Sequence, residues 1–171
     1  NNFGYCGAVE KLLGLEVTER CKYIRVIMSE ISRITDHLTC IAASAMELGA
    51  MTAFLYLMKA REYLYDIVEE VTGARLTISY GRIGGVKSDL PQEIREKLEQ
   101  ALVKCEKEIS QVDKLLTRNR IFIDRTKNVG VLTQETASSY AINGPLGRSA
   151  GIDYDVRKAF PYWVYDRIEF D

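Results

Sequence analysis

The chain has one histidine, one tryptophan and three prolines, and its four cysteines form no Cys-x-x-Cys pair. A single histidine excludes a histidine-built metal centre and a Ser-His-Asp triad within the chain. Cys6, Cys21, Cys40 and Cys105 lack the spacing of a zinc site. They read as reduced thiols of an intracellular protein, not as a disulfide framework. Charge of one sign is also lacking: 23 Lys and Arg stand against 24 Asp and Glu. Without a basic stripe, no nucleic-acid partner is expected. Dinucleotide fingerprint, nucleophile elbow and EF-hand are missing, as are a signal peptide, internal repeats and low-complexity segments. Chemistry carried wholly by these residues is therefore not expected. A binding wall with a few polar groups is.

What is present is a core-forming composition, 47% apolar over 171 residues, enough for one domain. Leu38 to Met58 is the most apolar stretch, 21 residues with Glu47 as the one charge. Hydropathy alone reads this as a membrane span. Three features oppose that: a carboxylate at its centre, Gly49 beside it, and amphipathic patterns continuing on both flanks. The window instead predicts two helices joined by a buried turn, with Glu47 facing a site and no transmembrane segment.

The first of those helices begins at Thr18, a suitable N-cap. Its predicted seam is Ile24, Ile27, Ile31, Ile34, Leu38, Ile41, Ala45 and Leu48. A polar stripe of Arg33, His37, Cys40, Ser44 and Glu47 runs beside it, bordering the seam. These groups either pair with one another and with neighbouring helices or line a polar cavity. The second helix is predicted from a Thr52 cap to Gly73. Arg61 falls in its apolar seam and calls for a carboxylate, with Glu30 and Glu47 as candidates. The end of a helix, Tyr5 to Leu13 with Gly14 as its stop, precedes both.

Arg75 to Pro91 shows no period. Gly81, Gly84 and Gly85 give its backbone freedom, beside Arg82 and Lys87. It lacks the Gly-Lys-Ser/Thr ending of a phosphate loop. A third long helix is predicted from an Asp89 cap with Gln92 in capping-box position. Its buried face is Ile94, Leu98, Ala101, Cys105, Ile109, Val112 and Leu116. Residues 1–118 thus read as a helical bundle. Residues 119–171 read as an irregular segment with a short helix near Thr133–Tyr140 and a terminal strand, Val164 to Phe170. The expected fold is mainly α, a bundle of long antiparallel helices with a glycine-rich loop and a short C-terminal β or irregular segment.

Several blocks together carry a resemblance. They are Ala8-Val9-Glu10-Lys11-Leu12-Leu13, Ser29-Glu30-Ile31-Ser32-Arg33-Ile34 with His37, and Leu48-Gly49-Ala50-Met51-Thr52. Arg61-Glu62, Thr72-Gly73-Ala74-Arg75, Arg82-Ile83-Gly84-Gly85-Val86 with Asp89-Leu90-Pro91, and Gly151-Ile152-Asp153-Tyr154-Asp155-Val156-Arg157-Lys158 with Pro161-Tyr162 follow in order. The chain resembles the quinone-binding D subunit of NADH:quinone oxidoreductase (respiratory complex I), a family related to the large subunits of nickel–iron hydrogenases. The resemblance implies a central piece of a longer subunit, matching the start at Asn1 without a Met. An upstream sheet with a quinone-binding histidine and a further helical body would lie outside it. It implies quinone as substrate and an iron–sulfur cluster held by a partner, the B subunit of complex I. NAD would be used elsewhere in the complex, and no metal would be bound by this chain. The C subunit of complex I and a membrane-arm subunit at the quinone site would be further partners. The complex would sit peripherally on the cytoplasmic side of the cell membrane, coupling electron transfer to proton translocation.

The same resemblance puts Tyr5 at the tyrosine that contacts the quinone head group. It puts Glu47 at the carboxylate, usually Asp, that holds the upstream histidine. Arg33, His37, Ser44 and Arg61 become quinone-pocket or structural polar residues. Thr77, Arg82, Gly84 and Gly85 fall on the cluster side. Thr77 replaces a frequent histidine, which implies a cluster potential less dependent on pH. Ala53 replaces a frequent proline. Two alternatives stay open: a membrane-bound energy-converting hydrogenase large subunit, which needs cysteine pairs outside these residues, and a helical module without redox residues.

Overall fold

The computed structural model describes residues 1–170. The chain is mainly α-helical, and it divides into two compact units, Asn1–Ile123 and the residues from Asp124 onward.

The first unit is built on α2 (Glu19–Glu47), α3 (Met51–Thr72) and α4 (Ile94–Leu116), preceded by the shorter α1 (Asn2–Leu13). Helix α3 lies in the middle, packed against α2 on one side and α4 on the other. Its buried residues Ala53, Leu57, Ala60, Leu64, Ile67 and Val71 alternate at spacings of three and four, the period that keeps one face inward. Ala60 is fully buried, and its carbonyl accepts a hydrogen bond from the Cys105 thiol at 3.0 Å. Burial pushes that thiol up to about 11. No helix among the described residues is long and apolar enough to cross a membrane.

The seam of α2 is Ile24, Met28, Ile31, Thr35, Leu38, Ala42 and Ala45. Ile24, Ile31, Leu38 and Ala45 are the predicted seven-residue repeat. The residues between them differ from the prediction. Met28, Thr35 and Ala42 are buried, whereas Ile27 and Ile41 are exposed and Ile34 half-buried. The two rows lie about 100° apart on the helix, and the small Thr and Ala side chains allow the closer approach. Hydrophobicity favoured the isoleucine row; packing chose the other.

Thr18 caps α2 through its hydroxyl, which accepts the Cys21 N–H at 3.4 Å. Helices α1 and α2 end alike. Gly14 and Gly49 take positive φ, and the next N–H reaches back five residues, Leu15 to the Glu10 carbonyl and Ala50 to the Ala45 carbonyl, at 2.9 and 2.8 Å. The α2–α3 turn is not buried: Gly49 is exposed and its neighbours half-buried. Ala50, not Thr52, precedes α3 and offers no side-chain cap. Helix α4 starts at Ile94, and Asp89 does not cap it; Asp89 is held by Arg20 at 2.9 Å. On α4, Glu108 is buried and Ile109 exposed. Glu108 pairs with Lys59 of α3 at 2.8 Å, which draws that face of α4 inward.

The glycine-rich segment forms a hairpin of β1 (Gly81–Arg82) and β2 (Gly85–Val86), with Gly81 opposite Val86 and Arg82 opposite Gly85. Gly84 supplies the left-handed residue of the turn, at φ 84°.

Helix α5 (Arg120–Thr126) straddles the division between the units. Among the described residues, the second unit then has three short helices, α6 (Gln134–Ser139), α7 (Gly144–Ser149) and α8 (Val156–Ala159). Thr133 caps α6 by accepting the Thr136 N–H at 3.2 Å. The predicted terminal strand is absent: Tyr165–Arg167 is a 3-10 turn. Ring packing governs this stretch in place of a ladder. Tyr165 stands edge-on to Tyr162 and Phe170, and Arg157 lies 4.3 Å over the Phe170 ring.

Candidate functional site

Helix α1 is seated on the hairpin by one side. Asn2 Oδ1 accepts the Gly81 N–H at 2.7 Å, and the Phe3 ring packs edge-on against buried Tyr80. A Cβ on Gly81 would lie 2.5 Å from Asn2 Oδ1 and 2.8 Å from the Phe3 ring, so glycine permits this approach. Two turns on, Glu10 is buried beside Arg25 of α2, which has no exposed surface. Arg25 donates to both Glu10 oxygens at 2.7 Å and also to the carbonyls of Arg82 and Gly85, at 3.0 and 2.9 Å. Glu10 Oε1 in turn accepts the Gly84 N–H at 2.7 Å. The Arg25 hydrogen bonds hold the Glu10 carboxyl below the usual carboxylate range, against burial, which acts the other way; the Gly84 N–H adds to the lowering.

Neither Glu10 nor Arg25 stood out in the sequence as a site residue. The signal was legible: Arg25 falls on the line of Cys21 and Met28, and Glu10 on that of Cys6, both lines apolar. A charge on each of two apolar stripes 15 residues apart is the pattern of a buried pair.

On the hairpin, Arg82 is exposed and donates to the Ser79 carbonyl, Ser79 Oγ and the Gly81 carbonyl at 2.7, 3.0 and 3.1 Å. It forms no ion pair with a described carboxylate. Gly84 is exposed, Gly85 half-buried, and Thr77, just before the hairpin, exposed. Tyr5 is 66% exposed on α1.

The stripe of α2 faces outward more than predicted. Arg33 is half-buried and pairs with Glu30 one turn back. His37, Ser44 and Glu47 are exposed. The Ser44 hydroxyl donates to the Cys40 carbonyl of its own helix at 2.9 Å. Glu47 forms no ion pair among the described residues. Ile41 and Met46 on the same helix, and Met51 and Leu55 at the start of α3, are also exposed.

Arg61 has neither Glu30 nor Glu47 as partner. Its guanidinium lies 4.4 Å over the Tyr65 ring and donates to the Tyr65 hydroxyl and to Met58 Sδ. The buried Arg61 Nε has no hydrogen-bond partner. With Ser32, Thr35, Asp36 and Arg75 it lines a cavity of about 250 Å³ between α2 and α3. Arg75 there is tied to Glu62, Asp66 and Glu69.

The structure thus groups the helix of Tyr5 with Arg82, Gly84 and Gly85. Glu47 stands apart. It is 22 residues beyond Arg25 on α2, about 33 Å at 1.5 Å per residue. Tyr5 is five residues from Glu10, so Tyr5 and Glu47 are separated by on the order of 15 Å or more. No group of three or more His, Cys, Asp or Glu among the described residues is placed to hold a metal ion.

Comparison with known proteins bears on this arrangement. The family model described as "Respiratory-chain NADH dehydrogenase, 49 Kd subunit" matches residues 47–171. The D subunit of the NADH-quinone oxidoreductase of Myxococcus xanthus is 52% identical over the whole chain, which covers 41% of that protein. The corresponding D 2 subunit of Anaeromyxobacter sp. is 54% identical, again over the whole chain and 40% of its own length. The NADH-quinone oxidoreductase C/D subunit of Hydrogenobaculum sp. is 49% identical, with the whole chain covering 30% of it. The chain therefore spans about two fifths of the D-subunit relatives it matches.

Proposed function

Because the chain belongs to the family of the 49 kDa subunit of respiratory-chain NADH dehydrogenases, we propose that it forms part of the quinone-reduction site of an NADH:quinone oxidoreductase, with Glu47 as a working carboxylate. The observation that carries this is the tip of the α2–α3 hairpin, where one exposed carboxylate with no ion-pair partner among the described residues stands on a stretch of two helices that also leaves Ile41, Met46, Met51 and Leu55 exposed. An apolar surface with a single polar group suits a ligand with an apolar body and a polar head. Glu47 would orient a hydrogen-bonding partner, the histidine expected outside these residues, toward a quinone oxygen. Its extra methylene relative to Asp moves the carboxylate further from the helix.

In this reading, one-electron equivalents come from an iron–sulfur cluster on the partner B subunit, and NAD is used elsewhere in the complex. The described residues offer no cluster-binding set. The hairpin with Thr77, Arg82, Gly84 and Gly85 faces the cluster side. The C subunit is a further partner, a reading supported by the C/D name of the Hydrogenobaculum relative. A membrane-arm subunit completes the site, and the assembly lies peripherally on the cytoplasmic face, coupled to proton translocation.

A second reading places the head group at Tyr5, whose phenol is exposed on the helix seated on that hairpin. The two are separated by comparing Glu47→Gln with Tyr5→Phe in the intact complex. The Glu47 reading expects Glu47→Gln to lower NADH-driven quinone reduction at least tenfold, with the clusters still reduced by NADH and Tyr5→Phe near the wild-type rate. The reverse pattern favours Tyr5. Wild-type rates in both variants overturn both.

A further inference from the structure

The Glu10–Arg25 pair is an unusual use of two buried charges. Desolvating them costs several kcal/mol each, and apolar residues of similar volume often serve stability as well or better. What an apolar pair does not do is satisfy backbone. Here the pair satisfies three backbone groups of one turn: the carbonyls of Arg82 and Gly85 and the N–H of Gly84. These groups point inward from a hairpin of two residues per strand, too short to fix itself. Left unpaired, each would carry a buried-polar penalty. The outward product of the clamp is Arg82. Its guanidinium is exposed and tethered only to oxygens of Ser79 and Gly81. It is a fixed cation with no described carboxylate to neutralise it, unlike Arg75, which has three.

We infer that Glu10 and Arg25 are positioning residues whose role is to hold the hairpin turn so that Arg82 is presented as an uncompensated positive charge toward an anionic redox group outside the chain. This rests on the reading of the hairpin as the cluster-facing side. A fixed positive charge favours the reduced, more negative state of such a group and raises its potential. At roughly 10 Å and an effective dielectric constant of about 20, one charge changes the equilibrium by about tenfold. Arg25 has no exposed surface, so its effect is transmitted through Arg82.

The test is a redox titration of the cluster on the partner subunit, in the intact complex, for Arg82→Gln, Arg25→Lys and the double variant. Lysine keeps the charge opposite Glu10 but has one ammonium where the guanidinium serves four acceptors. We expect Arg82→Gln to lower the reduction equilibrium about tenfold, 59 mV for one electron. Arg25→Lys should lower it by a smaller factor, and the double variant should match Arg82→Gln alone, the mark of two residues acting through one charge. An unchanged potential in Arg25→Lys, or effects of the two changes that multiply, overturns the clamp. An unchanged potential in Arg82→Gln overturns the cluster-facing reading beneath it. If Arg25→Lys does not assemble, Glu10→Asp, which keeps the charge and shortens the reach to Arg25 and the Gly84 N–H, takes its place with the same outcomes.

Discussion

Around Arg25, helix α2 meets α1 on one side and the hairpin turn on another, and its guanidinium serves a carboxylate and two carbonyls with no surface left exposed. Around Glu47, 22 residues later on the same helix, the carboxylate has no ion-pair partner among the described residues, and its neighbours Ile41 and Met46 are exposed. Both charges lie on α2. One is consumed by the fold, the other is left available. A charge the fold has satisfied is best tested by stability. A charge left unsatisfied is best tested by function, because removing it breaks no ion pair among the described residues.

The largest effect is expected at the satisfied end. Glu10→Ala strands a buried guanidinium and frees the Gly84 N–H. It should destabilise the first unit by about 3–5 kcal/mol, read as a lowered midpoint in urea. A change below about 1 kcal/mol would show the pair to be less buried than its surroundings indicate.

How legible this contrast was depends on the physics involved. The long helices follow from apolar period and from Gly14, Gly49 and Gly73, each of which takes positive φ. Those are local signals. The choice between the Ile27–Ile34–Ile41 row and the Met28–Thr35–Ala42 row is not local, since it depends on how closely α3 approaches. Arg61 invited a carboxylate on grounds of charge but found an aromatic face instead. The terminal strand failed because a short apolar stretch is a weak signal beside the edge-on ring contacts of Tyr165 with Tyr162 and Phe170. At the candidate site, the residues that motif resemblance names are mostly exposed, whereas those that organise the backbone around them, Glu10 and Arg25, carried only a pattern signal.

Next in size is the core against the exposed row. Leu64 has no exposed surface, and Ile41 is 53% exposed. Leu64→Ala should cost about 2–5 kcal/mol. Ile41→Ala should stay within about 0.5 kcal/mol. Equal costs in urea unfolding would mean that Ile41 is covered in solution, and would move the boundary between the packed and open faces of α2.

Acid compares the two units. Glu10 is held below its ordinary value by Arg25, so its contribution is complete above about pH 4.3, the unfolded value. It is lost as pH falls through the lower folded value. Asp155, paired with Arg157, is lowered to about 2. Its contribution is complete above about pH 3.9 and is lost as pH falls through 2. The Asp155 partner is two residues away and already near it in the unfolded chain, so the second unit should lose less. Ring-current shifts of the Tyr162–Tyr165–Phe170 cluster and of the Phe3–Tyr80 pair report the two units separately. A second unit that loosens before the first on acidification would invert the comparison.

The smallest stability effect belongs to Glu47→Gln, within about 0.5 kcal/mol, because the change is nearly isosteric and breaks no ion pair among the described residues. That small number gives the comparison its meaning. If the same substitution slows quinone reduction tenfold in the intact complex while the midpoint in urea stays put, the carboxylate is held for chemistry and not for folding. A substantial loss of stability in the 171-residue chain would instead mean that Glu47 has a structural partner in solution. The tip of the hairpin would then be a second satisfied end, and exposed Ile41, Met46, Met51 and Leu55 would be packing surface in place of a ligand wall.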